Sequence, residues 1–154
     1  MTSLCSDVLT ALAGKTLVTA ESLTGGGIGA AITAVSGASV VYKGGVISYT
    51  NQVKEEVLGV PGEILERYGA VSAWTAGYMA SGVRKLLKAD VSVSVTGLAG
   101  PGGDEYGNPV GTVFIGYEDA AHAEVRHFCF AGSREEVRHQ TVEAALKLIL
   151  EHNG

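Results

Sequence analysis

The sequence predicts an α/β fold, a layered α/β/α sandwich in which helices cover both faces of a mixed central sheet. Helical patterns of apolar residues alternate along the chain with short apolar strand patterns, as in layered α/β proteins. Residues 110–130 instead indicate two strands joined by a tight turn, so part of the sheet is predicted to be antiparallel. With 154 residues and no linker or repeat, the chain is expected to form one domain over residues 1–154.

The first three predicted elements are a helix, a strand and a second helix. Apolar residues fall on one helical face between Leu4 and Leu12, and Gly14 is a suitable stop. Residues 16–20 indicate a short buried strand. A helix of small residues is expected from about Gly26 to Val35.

The middle of the chain is predicted to hold a strand and three helices. Residues 40–50 indicate a strand with a kink at two glycines, or a turn followed by a strand. Asn51 is expected to cap a short helix reaching Leu58, and Pro61 to lie in the first turn of another that ends near Gly69. A longer helix, capped by Ser72, is expected to reach about Ala89.

The last third is predicted to form three strands and a helix. Residues 91–95 alternate as a strand, and residues 110–117 and 121–130 indicate an antiparallel pair around Glu118 and Asp119. Ser133 and Glu136 have the spacing of a capping box at the start of the final helix.

Composition excludes several classes of protein. Hydrophobic residues make up 46% and charged residues 18%, which argues against intrinsic disorder, and no apolar run is long enough to span a membrane. The net charge of −5 argues against binding to nucleic acid or to an acidic membrane surface. Two cysteines cannot build a disulfide framework, so a cytoplasmic location is expected.

Three glycine-containing loops are the candidate functional segments in a chain with 22 glycines. The first, residues 20–27, joins a strand to a helix and contains Ser22, Thr24, Gly25 and Gly26. Such a turn presents backbone N–H groups to anions, and simple capping of the helix by Thr24 is an equal alternative.

The other two loops also lie next to predicted strands. The second, residues 37–39, has Tyr49 and Lys54 downstream, and its serine fits either a nucleophile or a cap. The third, residues 96–103, follows a strand and includes Thr96, Gly97 and Gly100. Since ligands bind beyond the carboxyl ends of strands in open α/β sheets, the first and third loops are expected to frame a pocket for a phosphorylated small molecule.

Two other kinds of site are disfavoured. Gly25, Gly27 and Ala30 match a relaxed dinucleotide pattern, but no acidic residue follows at the distance a Rossmann-type site needs. The four histidines, His122, His127, His139 and His152, show no metal-ligand spacing along the chain, so no metal site is predicted.

Several motifs follow one another along the chain: AESLTGGGIGAAITAVSGAS, VISYTN, YGAVS, TGLAGPGG with NPVGTV, and the closing F-x-G-S-R-x-x-V-R. Together they cover about residues 4–150 and resemble the CinA C-terminal domain family. One departure is Ser133, where members of the family often have Asp. The resemblance implies a stand-alone nicotinamide mononucleotide amidohydrolase, without the larger domain of CinA proteins or its pyrophosphatase activity. It further implies no cofactor, a nucleotide substrate and a homodimer; the alternative is a nucleotide-binding module without turnover.

Roles for individual residues follow from the position of each in these motifs. Ser39 is expected to be the nucleophile and Tyr49 its proton relay, with Lys54 lowering the pKa of that phenol and contacting substrate. Thr96 and the Gly97 backbone are the candidates for the oxyanion site. The remaining expected substrate contacts are Ser22, Thr24, Gly25, Gly26, Gly100 and the phosphate-binding pair Arg134 and Arg138, one turn apart on the final helix.

Overall fold

The computed structural model describes all residues, 1–154. It contains six α-helices, one short 3-10 helix at Ala38–Val40 and five strands. In chain order the helices and strands are α1 Thr2–Ala11, β1 Leu17–Glu21, α2 Gly27–Thr33, β2 Tyr42–Ile47, α3 Asn51–Glu56, α4 Gly62–Tyr68, α5 Ala73–Leu87, β3 Val91–Gly97, β4 Thr112–Glu118, β5 Ala123–Cys129 and α6 Arg134–Asn153.

The five strands form one mixed sheet in the order β2-β1-β3-β4-β5. The first three neighbours are parallel, since β1 pairs in parallel with both β2 and β3. β4 runs antiparallel to β3 and to β5, and its pairing with β5 is the predicted hairpin. The predicted mixed α/β sheet is therefore confirmed.

Two apolar clusters, one on each face of the sheet, make up the core. On one face α1, α2 and α6 pack against β-strand residues such as Val93 and Ile115. On the other face α4 and α5 pack against Val18 and Ala20 of β1. Neighbouring residues of β1 thus belong to different clusters, which is the alternation expected of a strand covered on both sides.

Small side chains allow α5 to lie close to the sheet. The hydroxyl groups of Ser92 and Ser94 in β3 donate to the carbonyl oxygens of Ala80 and Ala76 in α5, at 2.7 and 2.6 Å. Gly116 in β4 lies beside this contact, where a Cβ atom would come within 2.7 Å of the Ala76 carbonyl oxygen. The alternating serines of β3 therefore anchor a helix through its backbone.

Most predicted boundaries lie within a few residues of those observed, and the differences have local causes. The strand predicted to begin at residue 40 begins at Tyr42, because residues 38–40 form the 3-10 helix. Thr50 rather than Asn51 caps α3, since its hydroxyl accepts from the Val53 N–H at 3.4 Å. The β4–β5 turn lies one to two residues later than predicted, because β4 continues through Glu118.

The final helix, α6, begins at the predicted capping box. Ser133 accepts from the Glu136 N–H at 3.2 Å, and the Glu136 carboxylate accepts from the Ser133 N–H at 2.9 Å. α6 is the longest helix, with 20 residues. No helix of the chain, α6 included, combines the length and the apolar character needed to cross a membrane.

Candidate active site

The carboxyl ends of β1, β2 and β3 meet at one edge of the sheet, because the three strands are parallel. Residues 22–26 lead from β1 into α2, residues 48–50 lead from β2 into α3, and residues 98–111 lead from β3 to β4. The first turns of α6 contact all three segments. Ligand sites of open α/β sheets lie at this edge, which we call the candidate active site.

At its centre, the side chain of Lys54 reaches from α3 to Ser22 at the end of β1. The two residues are 1% and 7% exposed. Lys54 Nζ lies 3.0 Å from Ser22 Oγ and donates to the carbonyl oxygens of Ser48 at 2.7 Å and Tyr49 at 3.5 Å. A hydroxyl and an amine are thus held in direct contact in a site from which water is largely excluded.

Burial changes the chemistry of this amine. Desolvation disfavours the ammonium and lowers the pKa of Lys54 from 10.5 to about 8. About one lysine in ten is then neutral at pH 7, compared with about one in 3,000 at the ordinary pKa. A neutral amine donates its two N–H groups to the two carbonyl oxygens and accepts the proton of Ser22 Oγ with its lone pair. Lys54 is therefore suited to act as a general base toward Ser22.

The buried carboxylate of Glu21 holds the segment that follows Ser22. Glu21 Oε1 accepts from the Thr24 hydroxyl at 2.6 Å and from the Ile28 N–H at 2.8 Å, and Oε2 accepts from the Gly29 N–H at 3.0 Å. Two of these donors are backbone groups in the first turn of α2, where a negative charge is stabilising. Glu21 therefore fixes the turn between β1 and α2, a role that no motif in the sequence indicates.

Two backbone N–H groups next to Ser22 have no partner in the protein. The Leu23 and Thr24 N–H groups donate no hydrogen bond within the chain, although the two residues are only 4% and 2% exposed. Gly25 and Gly26, with φ of 58° and 98°, supply the left-handed backbone that shapes this turn. Free N–H groups beside a hydroxyl nucleophile are the usual donors of an oxyanion hole.

Two arginines of α6 connect the loops. Arg134 donates to the Gly100 carbonyl oxygen at 2.7 Å and to the Tyr49 hydroxyl at 3.2 Å, so it joins the third loop to the segment after β2. Arg138 donates to the carbonyl oxygens of Leu23 and Thr24, at 2.9 and 3.1 Å. Arg134 lies exposed at the rim, whereas two nitrogens of Arg138 are engaged in holding the first loop.

Thr96 and Gly97, the residues expected to form the oxyanion site, make structural contacts instead. The Thr96 hydroxyl is buried and donates to the Ala70 carbonyl oxygen at 2.7 Å. Gly97 lies against β4, where a Cβ atom would come within 2.7 Å of the Thr112 carbonyl oxygen. The Thr96 hydroxyl is thus engaged with the segment before α5, and Gly97 permits close pairing of β3 with β4.

A model of the CinA C-terminal domain matches residues 2–152. The chain belongs to the CinA C-terminal domain family. A CinA-like protein of Parasynechococcus marenigrum is 48% identical over 148 residues, which cover 94% of this chain and 35% of the relative. A CinA-like protein of Endomicrobium trichonymphae is 44% identical over 151 residues, which cover 94% of this chain and 35% of that relative. The chain thus spans about a third of the length of these CinA-like relatives.

Solved structures of CinA proteins share the whole fold. A competence damage-inducible protein A of Klebsiella pneumoniae is 38% identical with a TM-score of 0.94, covering 97% of this chain and 94% of that one. A CinA superfamily protein of Escherichia coli is 36% identical with a TM-score of 0.96, covering 98% and 89%. The α/β architecture predicted from the CinA motifs is confirmed by these structures.

The structure does not bring Ser39 to the candidate active site. Ser39 is exposed in the 3-10 helix that precedes β2, whereas Tyr49 and Lys54 follow β2. The six residues of that strand separate the two ends by about 20 Å at the usual rise of a strand. Tyr49 is also displaced from the expected role, because its side chain is 59% exposed and its hydroxyl meets Arg134. We therefore assign neither the nucleophile to Ser39 nor the proton relay to Tyr49.

The pairing of Ser22 with Lys54 has only a partial signal in the sequence. Ser22 follows an apolar strand and precedes three glycines, which marks the loop, and the sequence predicts Ser22 and Thr24 as substrate contacts. The sequence also points to Lys54, but in the role of lowering the pKa of Tyr49 and contacting substrate. Nothing local in the sequence shows that this lysine is buried, because its amine meets Ser22, 32 positions away, and the carbonyl oxygens that follow β2.

Proposed function

We propose that the chain hydrolyses the carboxamide of nicotinamide mononucleotide, giving nicotinate mononucleotide and ammonia. The observation that carries this proposal is the buried contact of 3.0 Å between Ser22 Oγ and Lys54 Nζ. A serine with a lysine base is a known arrangement for amide hydrolysis on several folds. The substrate comes from the resemblance of the motifs to the CinA C-terminal domain family, whose characterised activity is this deamidation.

The reaction has two halves. In the first, neutral Lys54 takes the proton of Ser22 Oγ, and the oxygen attacks the carboxamide carbon to give a tetrahedral oxyanion beside the N–H groups of Leu23 and Thr24. The C–N bond then breaks, and the leaving nitrogen takes the proton from Lys54 and departs as ammonia. An ester of Ser22 with the nicotinoyl group remains.

In the second half, water replaces ammonia. Lys54, neutral again, takes a proton from a water molecule that attacks the ester carbon, and the bond to Ser22 Oγ breaks as this oxygen takes the proton back. The products are the free enzyme and the carboxylic acid of nicotinate mononucleotide, which loses its proton to solvent to give the carboxylate. General-base assistance of this kind contributes about 10²–10⁴ in rate to each half.

The phosphate of the substrate has donors available at the same edge. Arg134 is exposed, and its guanidinium lies between Gly100 of the third loop and the Tyr49 hydroxyl. Charge-assisted hydrogen bonds contribute roughly 1.5–3 kcal/mol each. Loss of two of them would lower kcat/KM by about 10²–10⁴.

Ammonia release from purified protein tests this proposal. We expect multiple turnovers with nicotinamide mononucleotide, and a kcat/KM at least 100-fold lower with nicotinamide riboside, which lacks only the phosphate. Binding of the mononucleotide without ammonia release would contradict the proposed reaction and favour a nucleotide-binding module. Equal kcat/KM for the two compounds would remove phosphate recognition from the proposal.

A further inference from the structure

A second group of chemically active side chains lies at the sheet edge opposite to the candidate active site. β4 begins at the active-site edge and ends at Glu118 on the opposite edge, where a turn leads into β5. Asp119 and His122 lie in this turn, and His152 lies in the last turn of α6. One ligand atom from each of these three residues lies within 4.8 Å of the other two.

The distances within this group suit a small metal ion. The Nδ1 of His122 lies 3.3 Å from Asp119 Oδ1. Two ligands of a tetrahedral zinc ion, each at about 2.0–2.1 Å from the metal, are about 3.3 Å apart. The His122 side chain is 59% exposed, so its ring has room to rotate and shorten its distances to the ligand atoms of Asp119 and His152.

The other two side chains are already oriented. Asp119 Oδ2 accepts from the Tyr117 hydroxyl at 2.6 Å, and Oδ1 accepts from the backbone N–H groups of Ala121 at 2.8 Å and His122 at 2.7 Å, which leaves little freedom for the carboxylate. The His152 ring stacks on Tyr117 with centroids 4.1 Å apart, and its Nε2 lies 3.1 Å from Glu124 Oε2. Carboxylate and hydroxyl partners behind the ligands are typical of metal centres, where they fix the ring orientation and the tautomer.

We propose that Asp119, His122 and His152 bind one divalent transition-metal ion of the zinc type, with water completing the coordination. Two imidazoles and one carboxylate suit Zn²⁺ and its neighbours in the first row and are poor ligands for Mg²⁺ or Ca²⁺. The ion would join the end of α6 to the β4–β5 turn and so act on stability rather than on the reaction at the other edge. Spacing along the chain missed this group because 30 positions separate the two histidines.

Calorimetric titration with Zn²⁺ tests the proposal on protein purified without a histidine tag and stripped with a chelator. We expect saturable binding of one ion per chain, a rise in Tm with Zn²⁺ and no comparable binding of Mg²⁺. His122→Ala, a change at an exposed side chain, is expected to weaken Zn²⁺ binding at least 10-fold. His152→Phe, which keeps an aromatic ring on Tyr117, is expected to have the same effect.

His139→Ala is the matched control. His139 is a second exposed histidine, 63% exposed, and pairs only with Glu143 on its own helix, so its removal is expected to leave Zn²⁺ affinity unchanged. Absence of saturable binding, unchanged affinity in folded His122→Ala, or an equal loss in His139→Ala would overturn the proposal. Since these readouts need no substrate, they stand or fall independently of the proposed amidase reaction.

Discussion

Lys54 is buried to 1% exposure, and its amine faces one hydroxyl and two carbonyl oxygens but no carboxylate. The carbonyl dipoles stabilise a charged amine less than bulk water does, so the pKa falls from 10.5 to about 8. The same desolvation that makes Lys54 a usable base also makes its protonated form costly for the fold. This cost makes the stability of the protein depend on pH, which can be measured without substrate.

Lys54→Met removes the titrating amine and keeps an unbranched side chain of similar length. Between pH 8 and 10.5 the unfolded state of the unsubstituted protein holds a proton on Lys54 that the folded state has lost. The free energy of unfolding of this protein therefore rises with pH. We therefore expect the stability of the native protein relative to Lys54→Met to be constant below pH 8 and to increase by about 3 kcal/mol toward pH 10.5. Urea denaturation of both proteins from pH 6.5 to 10 measures it; a constant difference throughout contradicts the lowered pKa.

The contacts of individual site residues were harder to predict from the sequence than the helices and strands. The first loop and its hydroxyl groups could be selected, because a strand followed by Ser, Thr and three glycines is a local pattern. The contact of Ser22 with Lys54 joins residues 32 positions apart and depends on the burial of Lys54. Ser22 and Ser39 both lie in glycine-containing loops, and only the direction of the strands places the two serines at opposite edges of the sheet.

Among the elements, α3 holds Lys54, and the segment that follows α3 lies directly against α5. Gly82 of α5 faces the Leu58 carbonyl oxygen so closely that a Cβ atom would lie 1.9 Å from it. The Val60 N–H donates to the Lys54 carbonyl oxygen at 3.0 Å, which ties the same segment back to α3. The lack of a side chain at Gly82 therefore contributes to the position of Lys54.

Gly82→Ala and Gly77→Ala separate helix propensity from this close approach. Propensity alone predicts that each change stabilises α5 by about 0.5–1 kcal/mol. At Gly77 the added Cβ would lie 3.6 Å from Val125 Cγ2, an ordinary contact, so we expect that gain. At Gly82 the clash is with backbone, so we expect a loss of about 1–3 kcal/mol or more and reduced turnover. Thermal and urea unfolding measure both variants; equal stability of the two would contradict the proposed role of Gly82.

Helices and strands themselves were largely predictable. The period of the apolar residues marked α1, α5 and α6, and Ser133 with Glu136 marked the start of α6. Boundaries were less certain where two local signals compete. Val40 and Val41 favour a strand by composition, but the left-handed Gly37, with φ of 83°, leads into a 3-10 turn that includes Val40.

At the scale of the whole molecule, strand direction decides which residues can act together. Ser22, residues 48–50 and the third loop lie at one edge because they follow three parallel strands. Asp119 and His122 lie at the other edge because β4 runs antiparallel to β3. The layered class followed from the alternation of helices and strands. The order β2-β1-β3-β4-β5 did not, because pairing between distant strands leaves no local trace in the sequence.

Ammonia release by Ser22→Ala and Ser39→Ala, measured side by side with nicotinamide mononucleotide, tests the assignment of the nucleophile most directly. Both changes remove one oxygen, one from a buried serine in contact with Lys54 and one from an exposed serine at the far edge. Retained substrate binding and an unchanged Tm in each variant exclude unfolding as the cause of any loss. We predict that Ser22→Ala lowers kcat by at least about 1,000-fold and that Ser39→Ala stays within about twofold of the native protein. A folded Ser22→Ala protein with near-native turnover, or a loss confined to Ser39→Ala, would contradict this assignment.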